Sequence, residues 1–197
     1  MNKQFIKNKL ETLSLSMFRK DFFGLYHGSI SAKTETSRFL INTQEAVFDA
    51  LDEFSLIELY YKQDYRWKQA SIDAPIHKEI YTHFLEAKFV CFCMPPFTTA
   101  YSLQHNIITP KDFFGHNELG SLEIYDPKGF DNWYERAQSE IPQYFAKHKT
   151  NIMVIRGYGI FIYSRDIHEI AKKVAILEKS CRLLMFEQSA QTLFDEL

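Results

Sequence analysis

Apolar side chains recur at helical spacing in two long segments of the chain. Near the start they are separated by 4, 3 and 4 positions: Ile6, Leu10, Leu13 and Met17. Further on, the strongest helical pattern steps by 4, 3, 4 and 3 positions: Ile170, Val174, Leu177, Cys181 and Leu184. This spacing predicts two amphipathic helices, the first ended by the segment 21–24 and the second capped by Asp166.

Short runs rich in branched and aromatic residues predict strands between these helices. Residues 29–32, 38–42 and 54–61 read as a small antiparallel set. Residues 88–93 form a largely apolar run stopped by Pro95-Pro96, which predicts a buried strand followed by a short helix to about Gln104. Before that strand, Asp73-Ala74-Pro75 predicts a helix that runs to about Leu85.

The region from about 106 to 150 is less regular. Residues 112–126 read as a loop or a short strand, and a helix starts at Asp131, with Pro142 breaking or restarting it. Residues 151–155 and 160–163 then flank the four residues Arg-Gly-Tyr-Gly, which predicts a hairpin.

Composition narrows the class of protein. The 197 residues fit one domain, and 46% hydrophobic with 24% charged residues is near the globular average. A net charge of −2 provides no field for nucleic acid or anionic lipid, and no apolar run approaches a membrane span. The polar stretch 10–16 does not suit a signal peptide, and three cysteines are too few and too close for a disulfide framework. We therefore expect a cytoplasmic protein with no nucleic-acid or membrane partner.

Five segments in order resemble one known family. They are 26–31 (Tyr-His-Gly-Ser-Ile-Ser), 39–41 (Phe-Leu-Ile), 73–81 (Asp-Ala-Pro-Ile-His-Lys-Glu-Ile-Tyr), 94–100 (Met-Pro-Pro-Phe-Thr-Thr-Ala) and 154–159 (Val-Ile-Arg-Gly-Tyr-Gly). A long helix containing 175–178 follows. The chain from about 5 to 187 thus resembles the class II aldolase/adducin family. The resemblance implies a single domain over 1–197, of the α/β class, with three αβα layers and a central, mainly antiparallel sheet.

The resemblance also implies where a metal would bind. Enzymes of this family cleave or epimerise sugar phosphates through an enediolate, with a divalent metal, usually zinc, held by three histidines. Alignment on Pro95-Pro96 places these histidines at Phe92, Met94 and Tyr158. A benzene ring has no lone pair, a thioether is a soft ligand, and a phenol with a pKa of about 10 is a poor zinc ligand. The resemblance therefore implies a degenerate metal site and no cofactor.

The acid/base position of the family keeps a carboxylate. The family's Ser-Ser-Glu corresponds to Ser71-Ile72-Asp73, so Asp73 is the candidate proton-transfer residue and Ser71 a candidate substrate ligand. Aspartate before a proline is also typical of a helix N-cap, and this structural role remains open. His77, one helical turn further on, is either a hydrogen-bonded structural histidine or a base.

Two loops correspond to the family's phosphate-binding segments. The first keeps Gly28, Ser29 and Ser31, which are the remaining candidate substrate ligands, although an ordinary turn explains them equally well. The second ends in Glu45, where the family has a glycine, and a carboxylate there repels phosphate. A phosphorylated sugar is therefore disfavoured as a ligand.

An alternative metal site uses Cys91 and Cys93. These residues face the same side of a strand, and a shift of one residue relative to the family would place both thiolates where two histidines belong, which would suit zinc. Small buried hydrophobes are the other interpretation. His27, His105, His116 and His148 show no ligand spacing.

The last predicted helix either covers the sheet or pairs with a second subunit. The resemblance implies a homo-oligomer, possibly a tetramer, since family members commonly form cyclic tetramers. Arg156 is expected to form a structural ion pair.

Two functional hypotheses follow. The first is a non-catalytic binding or assembly module, similar to the adducin head domain, that takes a small-molecule ligand. The alternative is a carbon–carbon lyase or epimerase acting on a small sugar-like carbonyl compound with a rearranged metal site.

Overall fold

The computed structural model describes residues 3–25, 27–52 and 54–195, and side chains as far as residue 191. Tyr26, the first residue of the motif 26–31, therefore lies outside the described residues. In chain order the elements are α1 (Lys3–Phe18), β1 (Ser29–Glu35), β2 (Arg38–Asn42), β3 (Leu56–Tyr60), a 3₁₀ turn (Tyr65–Lys68), α2 (Ala74–His83), β4 (Phe89–Cys93), α3 (Pro96–Gln104), β5 (Ile107–Ile108), α4 (Phe113–Glu118), β6 (Leu122–Tyr125), α5 (Trp133–His148), β7 (Ile152–Ile155), β8 (Gly159–Ser164) and α6 (Ile167–Asp195).

One mixed sheet forms the middle layer of a single α/β domain. Its strand order is β3-β2-β1-β4-β8-β7-β6-β5, and every neighbouring pair is antiparallel except β6 with β7, which is parallel. The apolar faces of α1, α3 and α6 pack on one side of the sheet, and those of α2 and α5 pack on the other. The predicted three-layer αβα fold with a mainly antiparallel sheet is confirmed.

Strand β4 lies in the centre of the sheet and sends alternate side chains to the two helical layers. All five of its residues are buried. Phe89, Cys91 and Cys93 belong to the core against α1 and α6, whereas Val90 and Phe92 belong to the core against α2 and α5. Because alternate side chains of a strand point to opposite faces, the two cysteines lie on one face of the sheet and Phe92 lies on the other.

Most predicted elements are confirmed, and the central region is where the predictions fail. The strand at 38–42 and the helix to Gln104 have the predicted limits. In the region 112–126, a short helix (α4) precedes β6, where only a loop or one strand was predicted. Asp166 caps α6 as expected, because its carboxylate accepts the His168 N–H at 3.1 Å.

The prediction that Pro142 breaks a helix is wrong. Helix α5 is 16 residues long and continues through Pro142 without interruption. Proline removes one main-chain hydrogen bond, but the buried stripe of Trp133, Ala137, Ile141 and Phe145 holds both halves against the sheet. Tertiary packing thus outweighs the local cost of the proline.

The sequence predicts no membrane-spanning segment. Within the ranges given above, no helix combines the length and the apolar character required to cross a bilayer.

Gly159, in the β7–β8 turn, is expected to be essential for stability. Its φ is +142°, and an added Cβ would lie 2.4 Å from the Cys93 carbonyl oxygen, so Gly159→Ala combines backbone strain with a clash. We expect a loss of about 3 kcal/mol in the free energy of unfolding, measured by urea denaturation. The control is Gly129→Ala, because nothing lies within 4 Å of its added Cβ. Equal stability of the two variants would contradict this account of the turn.

Candidate functional site

A pocket of about 330 Å³ opens at the end of the sheet where β1, β4 and the β7–β8 turn meet. Its lining comes from six separate parts of the chain: His27, Gly28, Asn42, Thr43, Gln44, Ser71, Ile72, Asp73, Phe92, Met94, Tyr134 and Tyr158. A larger groove of about 530 Å³ lies between α2 and α5, but it includes none of the candidate site residues. The smaller pocket is therefore the candidate site.

The three positions predicted to replace histidines meet in this pocket. Phe92 lies at the end of β4, Met94 directly follows that strand, and Tyr158 lies in the β7–β8 turn. The rings of Phe92 and Tyr158 stack with centroids 4.7 Å apart, and Phe161 stacks on Phe92 at 4.8 Å. The pocket is thus lined by the stacked rings of Phe92 and Tyr158, and Phe161 supports Phe92 from within the core.

The chemistry of these side chains does not fit a divalent metal. Phe92 supplies no donor atom, and the Met94 thioether is a soft ligand. Burial raises the pKa of the Tyr158 phenol far above its usual value, with the Asp73 charge and Tyr134 adding to the effect, so this phenol stays protonated. Within the described ranges, His, Cys, Asp and Glu side chains form no group of three that could hold a metal.

Cys91 and Cys93 lie away from the pocket. Both are free, fully buried and directed into the core beneath α1 and α6, on the opposite face of the sheet from Phe92. Burial raises the pKa of the Cys91 thiol, and the neighbouring Cys93 raises it further. The geometry of these residues matches that of small core side chains, and they do not occupy the positions of the Phe92 and Met94 side chains.

Asp73 lies at the N-terminus of α2 without capping it. Its own backbone is helical, with φ −78° and ψ −4°, and its side chain accepts no hydrogen bond from the first turn. The expectation that the carboxylate caps this helix is therefore wrong. A residue whose side chain caps a helix typically has extended backbone angles, which Asp73 does not have. The side chain lines the pocket instead.

The Asp73 carboxyl group is buried and only partly satisfied. The residue is 3% exposed, and no hydrogen bond from the protein reaches its Oδ1 atom. Burial raises the pKa of Asp73 to about 6, and an interaction with the Ser29 hydroxyl partly offsets this shift. The pocket therefore holds a carboxyl group that exchanges a proton close to neutral pH.

His77 is the centre of a buried hydrogen-bonded chain next to Asp73. Its Nε2 lies 2.8 Å from the Ser29 Oγ and its Nδ1 lies 2.6 Å from the Ser31 Oγ, which in turn lies 2.7 Å from the Tyr81 hydroxyl. Burial lowers the pKa of His77 to about 3, so the imidazole is neutral. Both ring nitrogens of His77 have hydrogen-bond partners, which supports a structural role for this residue.

The four candidate substrate ligands lie in two places, two of them in this hydrogen-bonded chain and two in the pocket wall. Ser29 and Ser31 are fully buried and contact His77, whereas Gly28 and Ser71 line the pocket. Gly28 has a φ of +140°, and an added Cβ would lie 2.5 Å from Phe23, which explains the glycine. Of the four, Gly28 and Ser71 can touch a ligand in the pocket directly.

Two other segments of the resemblance have structural roles. Glu178 of α6 accepts the N–H groups of Phe97 and Thr98, at 2.9 and 2.8 Å, and so caps the N-terminus of α3. Arg156 pairs with Asp126 at 3.2 Å, which confirms the expected structural ion pair. Sequence reasoning missed the role of Glu178, although its position within the segment 175–178 was part of the resemblance.

The charge of the pocket is carried by Asp73. Among the described lining residues it is the only acidic one, and none of them is a lysine or an arginine. Glu45, next to the lining residue Gln44, is exposed. Sequence reasoning missed Tyr134, whose hydroxyl lies 3.3 Å from that of Tyr158. Tyr134 belongs to α5, and no local sequence pattern reveals how that helix packs.

The comparison with known proteins agrees with this architecture. The fold is that of the class II aldolase type of α/β domain. The model of the family described as Class II Aldolase and Adducin N-terminal domain matches residues 8–185, and the chain belongs to this family. No curated protein sequence matches the chain significantly.

Solved structures similar to the chain include sugar-phosphate aldolases by name. L-fuculose-1-phosphate aldolase from Thermus thermophilus is similar with a TM-score of 0.81 and 20% identity, over 94% of this chain and 95% of that one. The sugar-phosphate aldolase from Thermotoga maritima has a TM-score of 0.71 and 14% identity, over 95% and 96%. At these identities the likeness demonstrates the fold alone.

Proposed function

We propose that this protein is a class II aldolase-type domain that binds a small molecule without a catalytic metal. The observation that carries the proposal is the stack of Phe92 and Tyr158, whose rings lie 4.7 Å apart at two of the three positions where the family resemblance puts histidines. Rings in van der Waals contact leave no space between them for an ion held at about 2 Å. Met94, at the third position, supplies only a thioether.

Retention of the pocket supports ligand binding. The cleft is concave, has apolar walls and contains a few polar groups, as small-molecule sites do. Its Asp73 carboxyl group is buried with an Oδ1 atom that no protein donor reaches, which costs free energy. A ligand with a hydrogen-bond donor would offset this cost.

The metal content of the purified protein tests this proposal. Protein prepared without chelators is expected to contain far less than one equivalent of zinc, manganese or iron, measured by mass spectrometry. Asp73→Asn and Cys93→Ser should leave that content unchanged, with Cys181→Ser, another buried cysteine, as the control. One equivalent of metal that is lost in the Asp73 or Cys93 variant would overturn the proposal.

The alternative function is a carbon–carbon lyase or epimerase acting on a small sugar-like carbonyl compound. The pKa of Asp73, about 6, favours it, because a proton-transfer group works best near the operating pH. In this alternative Asp73 takes a proton next to the carbonyl group. The two functions differ in a simple way: turnover that disappears in Asp73→Asn supports the enzyme.

We further propose a cytoplasmic homo-oligomer, with a tetramer as the first expectation. Large apolar side chains stay exposed on the described surface, and they suit contacts between subunits: Leu103, Phe113, Phe114, Phe130 and Phe186. The three free, buried cysteines are compatible with a reducing compartment. Sedimentation velocity measures the oligomeric state directly.

A further inference from the structure

We infer that the pocket binds a small organic cation, a protonated amine with a short apolar body, through Asp73. This inference rests on the proposed function, because it assumes that no metal occupies the site. It assigns the chemical class of the ligand from the charge, the unpartnered polar atom and the walls of the pocket.

The unpartnered atom is the Oδ1 of Asp73. This oxygen is buried and receives no hydrogen bond from the protein, although it belongs to a group that lines the pocket. A buried acceptor without a donor is unfavourable, and more so when it is charged. A ligand that brings an N–H donor removes this cost, so the atom identifies the ligand as a hydrogen-bond donor.

The sign of the charge favours a cation over an anion. Asp73 is the only acidic residue of the described lining, and no arginine or lysine there neutralises it. A phosphate or carboxylate ligand would meet repulsion here, whereas an ammonium group gains both a hydrogen bond and an ion pair.

The walls determine how the ligand is oriented. Both faces of the Phe92 ring are covered, by Tyr158 at 4.7 Å and by Phe161 at 4.8 Å, so the ring presents its edge to the pocket. Aromatic edges are electropositive and repel a cation, so the ammonium group lies at Asp73 and not over a ring. Ring edges, Met94 and Ile72 then contact the apolar body of the ligand.

The size of the pocket restricts that body. A volume of about 330 Å³ is at the lower end of the range for small-molecule sites. A short branched or linear alkyl amine fits the site in shape as well as in charge. A quaternary ammonium ion fits less well, because it has no N–H to donate to the Oδ1 of Asp73.

Three compounds with the same carbon skeleton test the inference by calorimetric titration of the full chain at pH 7.5. They are isoamylamine, isoamyl alcohol and isovalerate, which end in an ammonium, a hydroxyl and a carboxylate group. We expect the amine to bind at least 10-fold more tightly than the alcohol, and isovalerate to show no binding. Asp73→Asn should abolish this preference, whereas the matched control Glu45→Gln should change the amine affinity less than 2-fold.

Each other outcome overturns the inference. Equal binding of amine and alcohol would mean that apolar contact and not charge selects the ligand, and preference for isovalerate would reverse the sign of the site. Absence of binding by all three compounds would exclude the amine class. These results leave the proposed function intact, whereas one equivalent of bound metal in the same preparation would overturn the proposed function itself. A folded state of Asp73→Asn, verified by circular dichroism, ensures that a loss of binding reflects the carboxylate.

Discussion

Replacing Phe92, Met94 and Tyr158 together by histidine is expected to create a zinc site in the pocket. The three side chains come from β4, the residue after it and the β7–β8 turn, and they meet in one pocket. Three imidazoles there would supply the donors that the present side chains lack and would leave a fourth position open. We expect about one equivalent of zinc, bound with micromolar or tighter affinity.

Cobalt substitution is a suitable readout, because the visible absorption of cobalt reports a tetrahedral nitrogen environment. The matched control is the double variant Phe92→His with Met94→His, which keeps Tyr158 and therefore has two donors. It should bind zinc at least about 100-fold more weakly than the triple variant. A folded triple variant that binds no better than this control would mean that these positions do not form the family's metal site, and the proposed loss of that site would have no basis.

Acidification is expected to destabilise the protein through His77 while Asp73 acts in the opposite direction. The folded-state pKa of His77 is about 3 against 6.5 in an unfolded chain, so its contribution is complete above pH 6.5 and is lost as the pH falls towards 3. At 1.36 kcal/mol per pKa unit this is about 5 kcal/mol. For Asp73 the folded-state pKa of about 6 exceeds the ordinary value of 3.8, so its contribution is present below 3.8 and is lost as the pH rises through 6.

The Asp73 contribution is smaller, about 3 kcal/mol, so the wild-type protein should lose stability on acidification with a reduced slope. Urea unfolding between pH 7.5 and 3 measures this directly. Asp73→Asn should steepen the loss and raise the stability at pH 7.5, whereas His77→Gln should reverse the slope, so that stability rises as the pH falls from 6.5.

The other titratable groups nearby are not expected to contribute. Burial raises the pKa of Tyr81, Tyr158 and Cys91, so they remain neutral throughout this range. Thr43 also lines the pocket and does not titrate, so Thr43→Val is the control, which should leave the slope unchanged. A wild-type slope that persists in His77→Gln would contradict the assignment of the acid transition to His77.

The fold could be predicted from the sequence wherever an element has a repeating pattern or a chain-breaking residue. The four steps from Ile170 to Leu184 locate α6, and Pro95-Pro96 separates β4 from α3. Short elements carry no comparable signal. Strand β5 has two residues, and the parallel pairing of β6 with β7 depends on contacts between residues about 30 positions apart, such as Ile124 with Val154.

The composition of the site could be predicted only partly. Alignment of motifs brought Asp73, Ser71 and Phe92 to one place, and they do line one pocket. Two properties of Asp73 could not be read from its sequence neighbours. Its backbone is helical and its side chain makes no capping hydrogen bond, and the Ser29 hydroxyl that lowers its pKa belongs to β1, which lies well before it in the chain. Local sequence patterns describe helix ends by residue type, whereas the direction of a side chain is determined by tertiary packing.

A hydrogen-bonded chain runs from Ser29 through His77 and Ser31 to Tyr81, and the Ser29 hydroxyl also lowers the pKa of Asp73. An ionised Asp73 favours the orientation in which the Ser29 hydroxyl hydrogen faces it, and the Ser29 oxygen is then free to accept from the Nε2–H of His77. The Nδ1 atom must in that case accept from Ser31, which can accept in turn from the Tyr81 hydroxyl. Every donor in the chain then points towards the pocket, and a proton added to Asp73 removes the group that selects this direction. Ligand binding at the carboxylate is therefore connected, through a row of buried side chains, to the orientation of a hydroxyl at the far end of the chain.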